Sequence, residues 1–423
     1  MKQSTDYLIV GGGIVGLTVA RELRHRYPAA SITVLEKESA LGKHASGRNS
    51  GVLHSGIYYD SATLKAKVCA EGARRMKHFA EEHGILCQHT GKVIVATSDQ
   101  DLPVLERLLQ NAQENGIRAE RLDEQGIRQI EPHAAVYQQG IHCPDTAVID
   151  SKAVLAKLHG WLLAAGVGLF FNSPVTAIDV AARTVVSGAD SFHYGYLFNC
   201  AGAFADLVAK QFGLGMDYTL VPFKGIYHTL SPERAHRVRA NIYPVPDIKQ
   251  PFLGVHLTRV ASGEVYAGPT AIPALGRENY GILQGALFGE SLRIGREICR
   301  MYWADQQNFR NLVHAELGKY RKATFLAAVR KLMPDLTDRD LVASDKVGIR
   351  PQLINRREKR LEMDYVIERS AHSLHVLNAI SPAFTSSLAF AEWIVDQSHA
   401  PFCESDNGSW TLPGGQSPWT HKS

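Results

Sequence analysis

The chain has 423 residues, 45% of them hydrophobic and 21% charged, with a net charge of +4. That composition excludes a disordered chain, and the length suffices for two packed domains. Basic residues form no nucleic-acid stripe, no stretch nears the about 20 apolar residues of a membrane span, and the six Cys form no C-x-x-C pair or metal-ligand cluster.

No metal is therefore expected, and the thiols read as reduced and mostly buried. Residues 1–6 lead into the first strand without an apolar leader core, which points to a cytoplasmic protein. Peripheral attachment to the inner face of the cell membrane stays open. Tyr7–Val10 is a short apolar strand, followed by Gly11-Gly12-Gly13-Ile14-Val15-Gly16 and a helix that Tyr27-Pro28 ends. A second strand, Ile32–Leu35, ends in Glu36. Gly11, Gly13 and Gly16 make G-x-G-x-x-G between strand and helix, with Glu36 spaced to take ribose hydroxyls. A pyrophosphate then meets the positive end of the helix. The β-α-β unit demands a parallel sheet with a right-handed crossover.

A polar, glycine-rich loop, Lys43–Gly56, comes next, then a helix over Ser61–Glu82, a strand over Lys92–Thr97 and a helix over Leu102–Asn115. Ile141–Ile149 reads as extended, and Asp150 caps a helix running to about Ala165. Strands follow at Gly168–Asn172 and Val175–Val180, then Tyr196–Gly202 with its small-residue end, then the helix Phe204–Phe212. Tyr218–Pro269 is strand-rich and broken by Pro222, Pro244, Pro246 and Pro251, a pattern that favours an antiparallel sheet. Leu287–Leu332 is helical. Val347–Gln352, Leu374–Asn378 and the helix Leu388–Asp396 are expected to return to the first domain, and the tail after Ala400 has no periodicity.

These residues resemble the FAD-dependent oxidoreductases of the D-amino acid oxidase and glycine oxidase type, and within them the L-2-hydroxyglutarate oxidases (dehydrogenases). The resemblance reaches to about residue 398. It rests on residues 8–17, on Arg-Asn-Ser-Gly-Val-Leu-His-Ser-Gly-Ile-Tyr-Tyr (48–59), on 91–97 and 242–247, on Pro-Phe-Leu-Gly-Val-His-Leu-Thr-Arg (251–259) and on 379–387. The segments 48–59 and 251–259 are the specific ones. The resemblance implies an α/β fold, α+β overall: a doubly wound Rossmann-type FAD domain (1–90, 141–215, 341–400) interleaved with an antiparallel-sheet substrate domain (91–140, 216–340), then a tail (401–423).

It also implies FAD as cofactor, held by Gly11, Gly13, Gly16, Glu36, Lys37, Arg48, Asn49, Ser50, Gly51, Val175, Ala201, Gly202, Pro382 and Ala383. The implied reaction is oxidation of a 2-hydroxy dicarboxylate, L-2-hydroxyglutarate, to 2-oxoglutarate, with oxygen or a membrane quinone as electron acceptor. Such chemistry needs a group for the carboxylate and a base for the hydroxyl proton. Arg350 resembles the arginine that holds the substrate carboxylate in glycine oxidase-like enzymes. His256 and His54 are the candidate bases, His256 preferred and His54 placed by the flavin edge. Histidine near that loop position carries flavin covalently in related amine dehydrogenases, but the tryptophan that precedes it there is missing here. Lys224, Tyr227 and Thr258 are candidates for the distal carboxylate; strand alternation sets His256 and Thr258 on one face and Arg259 on the other. An amine oxidase for glycine, sarcosine or a D-amino acid is the alternative, and a non-catalytic flavin-binding protein a third.

Overall fold

The computed structural model describes residues 2–247 and 252–399. Pro251 and the tail 401–423 lie outside the described residues. In the first sheet, five parallel strands run in the order Gly168–Phe170, Ile32–Leu35, Lys2–Val10, Asp190–Asn199 and Ser373–Asn378. Leu8, Ile9, Val34 and Leu35 are buried, as strands covered on both faces must be. The helix Ile14–Arg26 makes the first crossover and buries Ile14, Leu17, Ala20 and Leu23. It shares one core with the helices Leu64–Glu82 and Ala383–His399. Asp150 caps the helix Ser151–Ala164 as expected, accepting from the amides of Lys152 and Ala153. Such a cap contributes about 1 kcal/mol.

The second sheet has ten strands. Its spine is the antiparallel pair Tyr218–Leu230 and Leu341–Asn355, in register Phe223 opposite Arg350. Val265–Gly268, His256–Arg259, Asn241–Pro244, Lys92–Val95, Gln139–Cys143 and Glu120–Asp123 follow outward in that order. One face sends Val93, Val95, Ile242, Leu257 and Ala267 into a core with Phe325 and Val329. Strand alternation turns Lys92, Ile94, Tyr243, His256 and Thr258 to the other face. A small third sheet pairs Val52–Leu53 and Cys87–Gln88 with Ala147–Ile149, anchoring the chain just before His54.

The differences from the sequence reading have local causes. Ile141–Ile149 is two strands in two sheets, Gln139–Cys143 and Ala147–Ile149, separated by a turn after Pro144. Val347–Gln352 does not return to the parallel sheet: it lies inside Leu341–Asn355 and bonds to Tyr218–Leu230. The return comes at Val366–Ser370 and Ser373–Asn378. The stretch from Leu287 to Leu332 is divided among the α-helices Phe288–Ala304, Phe309–Gly318 and Lys322–Arg330; the first break falls where Asp305, Gln307 and Asn308 adopt left-handed backbone. The last helix begins at Ala383, five residues before Leu388. Cys69, Cys87, Cys143, Cys200 and Cys299 are all free, and the first, third and fourth of these are buried. No helix among the described residues is long and apolar enough to cross a membrane.

Candidate active site

The glycine-rich turn is built for close approach. A Cβ on Gly11, whose φ is +110°, would stand 2.4 Å from the Cys200 carbonyl oxygen, and one on Gly16 would stand 2.0 Å from the Gly11 oxygen. The strand end Cys200–Gly202 therefore lies directly on the turn, with the Cys200 amide bonded to the Val10 carbonyl at 2.9 Å. Glu36 accepts from the amides of Gly12 and Glu38, each at 2.9 Å, which fixes its carboxylate at the turn with lone pairs to spare for hydroxyl donors. The Ser173 amide donates to the Glu36 carbonyl, bringing the segment before half-buried Val175 alongside. Gly13 precedes the helix N-terminus without a capping side chain of its own; Ser46 from the following loop takes the Ile14 amide at 2.9 Å. Bare glycine backbone, a helix N-terminus and an acid at the neighbouring strand end fit the pyrophosphate and ribose of FAD.

The loop that follows is held by its own polar groups. Asn49 donates to the carbonyls of Ala45 and Ser46 and accepts from the Gly51 amide. Arg48 donates to Lys43 and Val347 and stacks over Tyr280 at 4.2 Å. Ser50 is half-buried beside them. Thr385, in the first turn of the last helix, takes the His54 amide at 3.2 Å and donates to the Val52 carbonyl. Pro382 and Ala383, at the start of that helix, are thus beside the loop. The Lys37 ammonium donates to Glu38 and Glu278 and contacts His44, closing an ion cluster.

Facing this loop, the second sheet presents a buried group of aromatic and cationic side chains. His256 is 6% exposed, and its Nδ1 donates to the Gly254 carbonyl at 2.9 Å, which leaves Nε2 as the acceptor nitrogen. Tyr243 stacks on its ring at 3.9 Å and 15°. The charges of Arg350 and Lys92 bear on both His256 and His54. Burial, seconded by those cations, pushes each histidine from 6.5 to about 3, so both are neutral at pH 7. Arg350 itself is half-buried beside Tyr59 and Tyr227 and lies over the Phe252 ring at 5.2 Å. Tyr227 and Thr258 beside it are buried, Thr258 with its hydroxyl lacking a hydrogen-bond partner among the described residues.

The structure thus brings together His54, His256, Arg350, Tyr227 and Thr258. It does not bring Lys224 with them. That ammonium donates to Asn279 Oδ1 at 2.9 Å and to the Gly281 carbonyl at 2.5 Å, so its charge is spent on a loop. The sequence reading also missed members. Lys92, Tyr58, Tyr59 and Tyr243 all lie in segments that carried the resemblance, and period-two alternation from Ile94 and His256 was the signal for Lys92 and Tyr243. Lys65 is buried at the start of its helix, donates to the Met363 carbonyl at 2.5 Å and is lowered by burial to about 7. Nothing in its sequence context marks it.

Residues 6–397 match the family model described as FAD dependent oxidoreductase. The L-2-hydroxyglutarate dehydrogenase of Indibacter alkaliphilus is 37% identical over 91% of this chain and 98% of its own. The mitochondrial L-2-hydroxyglutarate dehydrogenase of Homo sapiens is 36% identical over 93% of this chain and 88% of its own. Among solved structures, dithionite-reduced L-alpha-glycerophosphate oxidase from Mycoplasma pneumoniae, with FAD bound, superposes with a TM-score of 0.75 at 22% identity, covering 97% of this chain and 100% of that one.

Proposed function

The chain belongs to the FAD-dependent oxidoreductase family, and from that premise we propose that it oxidises the C2 hydroxyl of L-2-hydroxyglutarate to the ketone of 2-oxoglutarate. The observation that carries this is the meeting of a neutral, buried His256, whose Nε2 is the acceptor nitrogen, with the cations Arg350 and Lys92. A dianionic hydroxy acid answers both features. FAD, when bound, supplies the hydride acceptor. Gly11, Gly13, Gly16 and Glu36 would hold its pyrophosphate and ribose. The loop Arg48–Gly51, Val175, Ala201–Gly202 and Pro382–Ala383 would line the rest, as the family resemblance implies.

Arg350 offers a forked pair of donors to the C1 carboxylate, which fixes the C2 carbon in one orientation. His256 Nε2 takes the hydroxyl proton as C2 becomes a carbonyl carbon. In the free protein the imidazolium is opposed by burial and by Arg350 and Lys92. Substrate carboxylates offset those cations, so the proton affinity of His256 rises when substrate is in place. Tyr59, Tyr227 and Tyr243 keep bulk water from the proton and the charges. His54, whose Nδ1 has no hydrogen-bond partner among the described residues, lies near the same groups.

The domain division belongs to the same reading. Sheet membership supports a dinucleotide unit around the parallel sheet and a substrate unit that also takes in Gln139–Cys143 and Leu341–Asn355. For reoxidation, a membrane quinone draws support from an exposed apolar run, with Ile282 89%, Leu283 72%, Leu287 69% and Phe288 87% exposed. Incubation with L-2-hydroxyglutarate and an artificial electron acceptor should yield one 2-oxoglutarate per two electrons taken up by the acceptor. Formation of glyoxylate and ammonia from glycine at a higher kcat/KM would overturn the assignment in favour of an amine oxidase.

A further inference from the structure

We propose that Lys92 is the specificity-determining cation of the site, and that its ammonium receives the distal carboxylate of the substrate, the end Arg350 does not hold. The proposal rests on the reading of the substrate as a 2-hydroxy dicarboxylate.

Lys92 is 0% exposed, and its Nζ has no hydrogen-bond partner among the described residues. An ammonium is a three-fold donor that is costly to bury without an acceptor. The faces of Tyr58 at 4.4 Å and Tyr243 at 5.4 Å attract it, yet supply no acceptor for its N–H groups. A side chain in this state is complete only when an anion reaches it.

Its place in the sheet says which anion. Lys92 shares a face with Tyr243, and Tyr243 stacks on His256, so one aromatic ring touches both the unpartnered ammonium and the base. In strand order, Arg350 comes from one flank of the His256 strand and Lys92 from the other. A ligand with a carboxylate at each end and its reacting carbon near one of them matches that order. Three rival cations are committed elsewhere, Lys224 to Asn279 and Gly281, Lys65 to Met363 and Arg259 to the Val238 carbonyl at 3.0 Å, and Lys346 lies over the Tyr266 ring at 4.2 Å. Desolvation lowers the proton affinity of Lys92 in the free protein, and a carboxylate beside it acts in the opposite direction.

The test compares L-2-hydroxyglutarate with L-2-hydroxypentanoate, which keeps the five carbons and lacks the distal carboxylate, in the wild-type holoenzyme and in Lys92→Met. Methionine keeps the length of the stem and removes the charge. FAD absorbance confirms that the variant is loaded. The wild type should prefer the dicarboxylate by roughly 10²-fold or more in kcat/KM, and the variant should lose that preference through a raised KM for L-2-hydroxyglutarate. Binding of 2-oxoglutarate, read from perturbation of flavin absorbance, should weaken by a similar factor, while that of 2-oxopentanoate stays within about threefold. A loaded variant that keeps the preference overturns the proposal, and so does one that loses both substrates equally. If the methionine variant does not accumulate, Lys92→Gln is judged by the same ratios. Absence of wild-type activity on L-2-hydroxyglutarate would instead overturn the functional reading, and this assignment with it.

Discussion

His256 carries the most specific claim at the scale of single residues. With its Nδ1 proton given to Gly254 and its Nε2 left as the acceptor nitrogen, His256 is the base of this reading, and His256→Ala should lower the rate of flavin reduction by roughly 10²–10⁴-fold while FAD stays bound. His54→Ala should disturb flavin absorbance more than proton transfer. Its pH dependence is also fixed by burial. Because His256 is pushed from 6.5 to about 3, it is already deprotonated across the neutral range. The kcat/KM profile, which reports the free enzyme, should stay level from pH 8 down to about 5 and fall only below that. An acid limb centred near 6.5 would contradict this placement. For Arg350, replacement by lysine removes the fork and should cost about 2–4 kcal/mol of transition-state binding, measured from kcat/KM. Near-wild-type kinetics would make Arg350 structural. At this scale the sequence singled out His256 and Arg350 in their motifs, and the structure places them near one another. It misled at Lys224 and was silent at Lys92, because whether a lysine meets a carbonyl or a cavity is decided by long-range packing.

At the scale of elements, the glycine-rich turn is the clearest case. Its spacing and flanking strand and helix were legible because close backbone approach excludes every side chain. The structure shows what is approached: the Gly11 carbon lies on the Cys200 carbonyl, and that of Gly16 on Gly11. Gly13 is less crowded, with Ser46 Oγ at 3.1 Å from a Cβ there. Gly13→Val should therefore fold yet purify without flavin, since its side chain would occupy the pyrophosphate position, whereas Gly16→Ala should lose the fold itself. A yellow Gly13→Val protein with full FAD content would contradict the cradle. The strand Leu341–Asn355 was misplaced for a physical reason. Its run Val347–Gln352 has the same apolar look as a parallel strand, and only its pairing with Tyr218–Leu230 assigns it to the other sheet. Likewise, Asp305 and Asn308 break a helical pattern without any proline or glycine to announce it.

The whole molecule brings the loop around His54 and the sheet face bearing His256 together, so that the charges of Lys92 and Arg350 reach both rings. Burial of the histidines has a stability consequence. His54, His256 and His375 are each lowered by burial from 6.5 to about 3. Above 6.5 these histidines are neutral folded or unfolded; below it the unfolded chain takes protons that the folded one refuses, so stability falls as pH drops towards 3. The melting temperature should decline steadily from pH 6.5 to pH 4, and a constant value over that range would contradict the burial of these rings.

The central claim, that this site oxidises a 2-hydroxy dicarboxylate on FAD, is tested most directly by mixing the oxidised holoprotein anaerobically with single substrates and following the loss of flavin absorbance. L-2-hydroxyglutarate should bleach the flavin far faster than its D-enantiomer, L-lactate, glycine or sarcosine. Faster bleaching by glycine or sarcosine, or a flavin that L-2-hydroxyglutarate leaves oxidised, would contradict it.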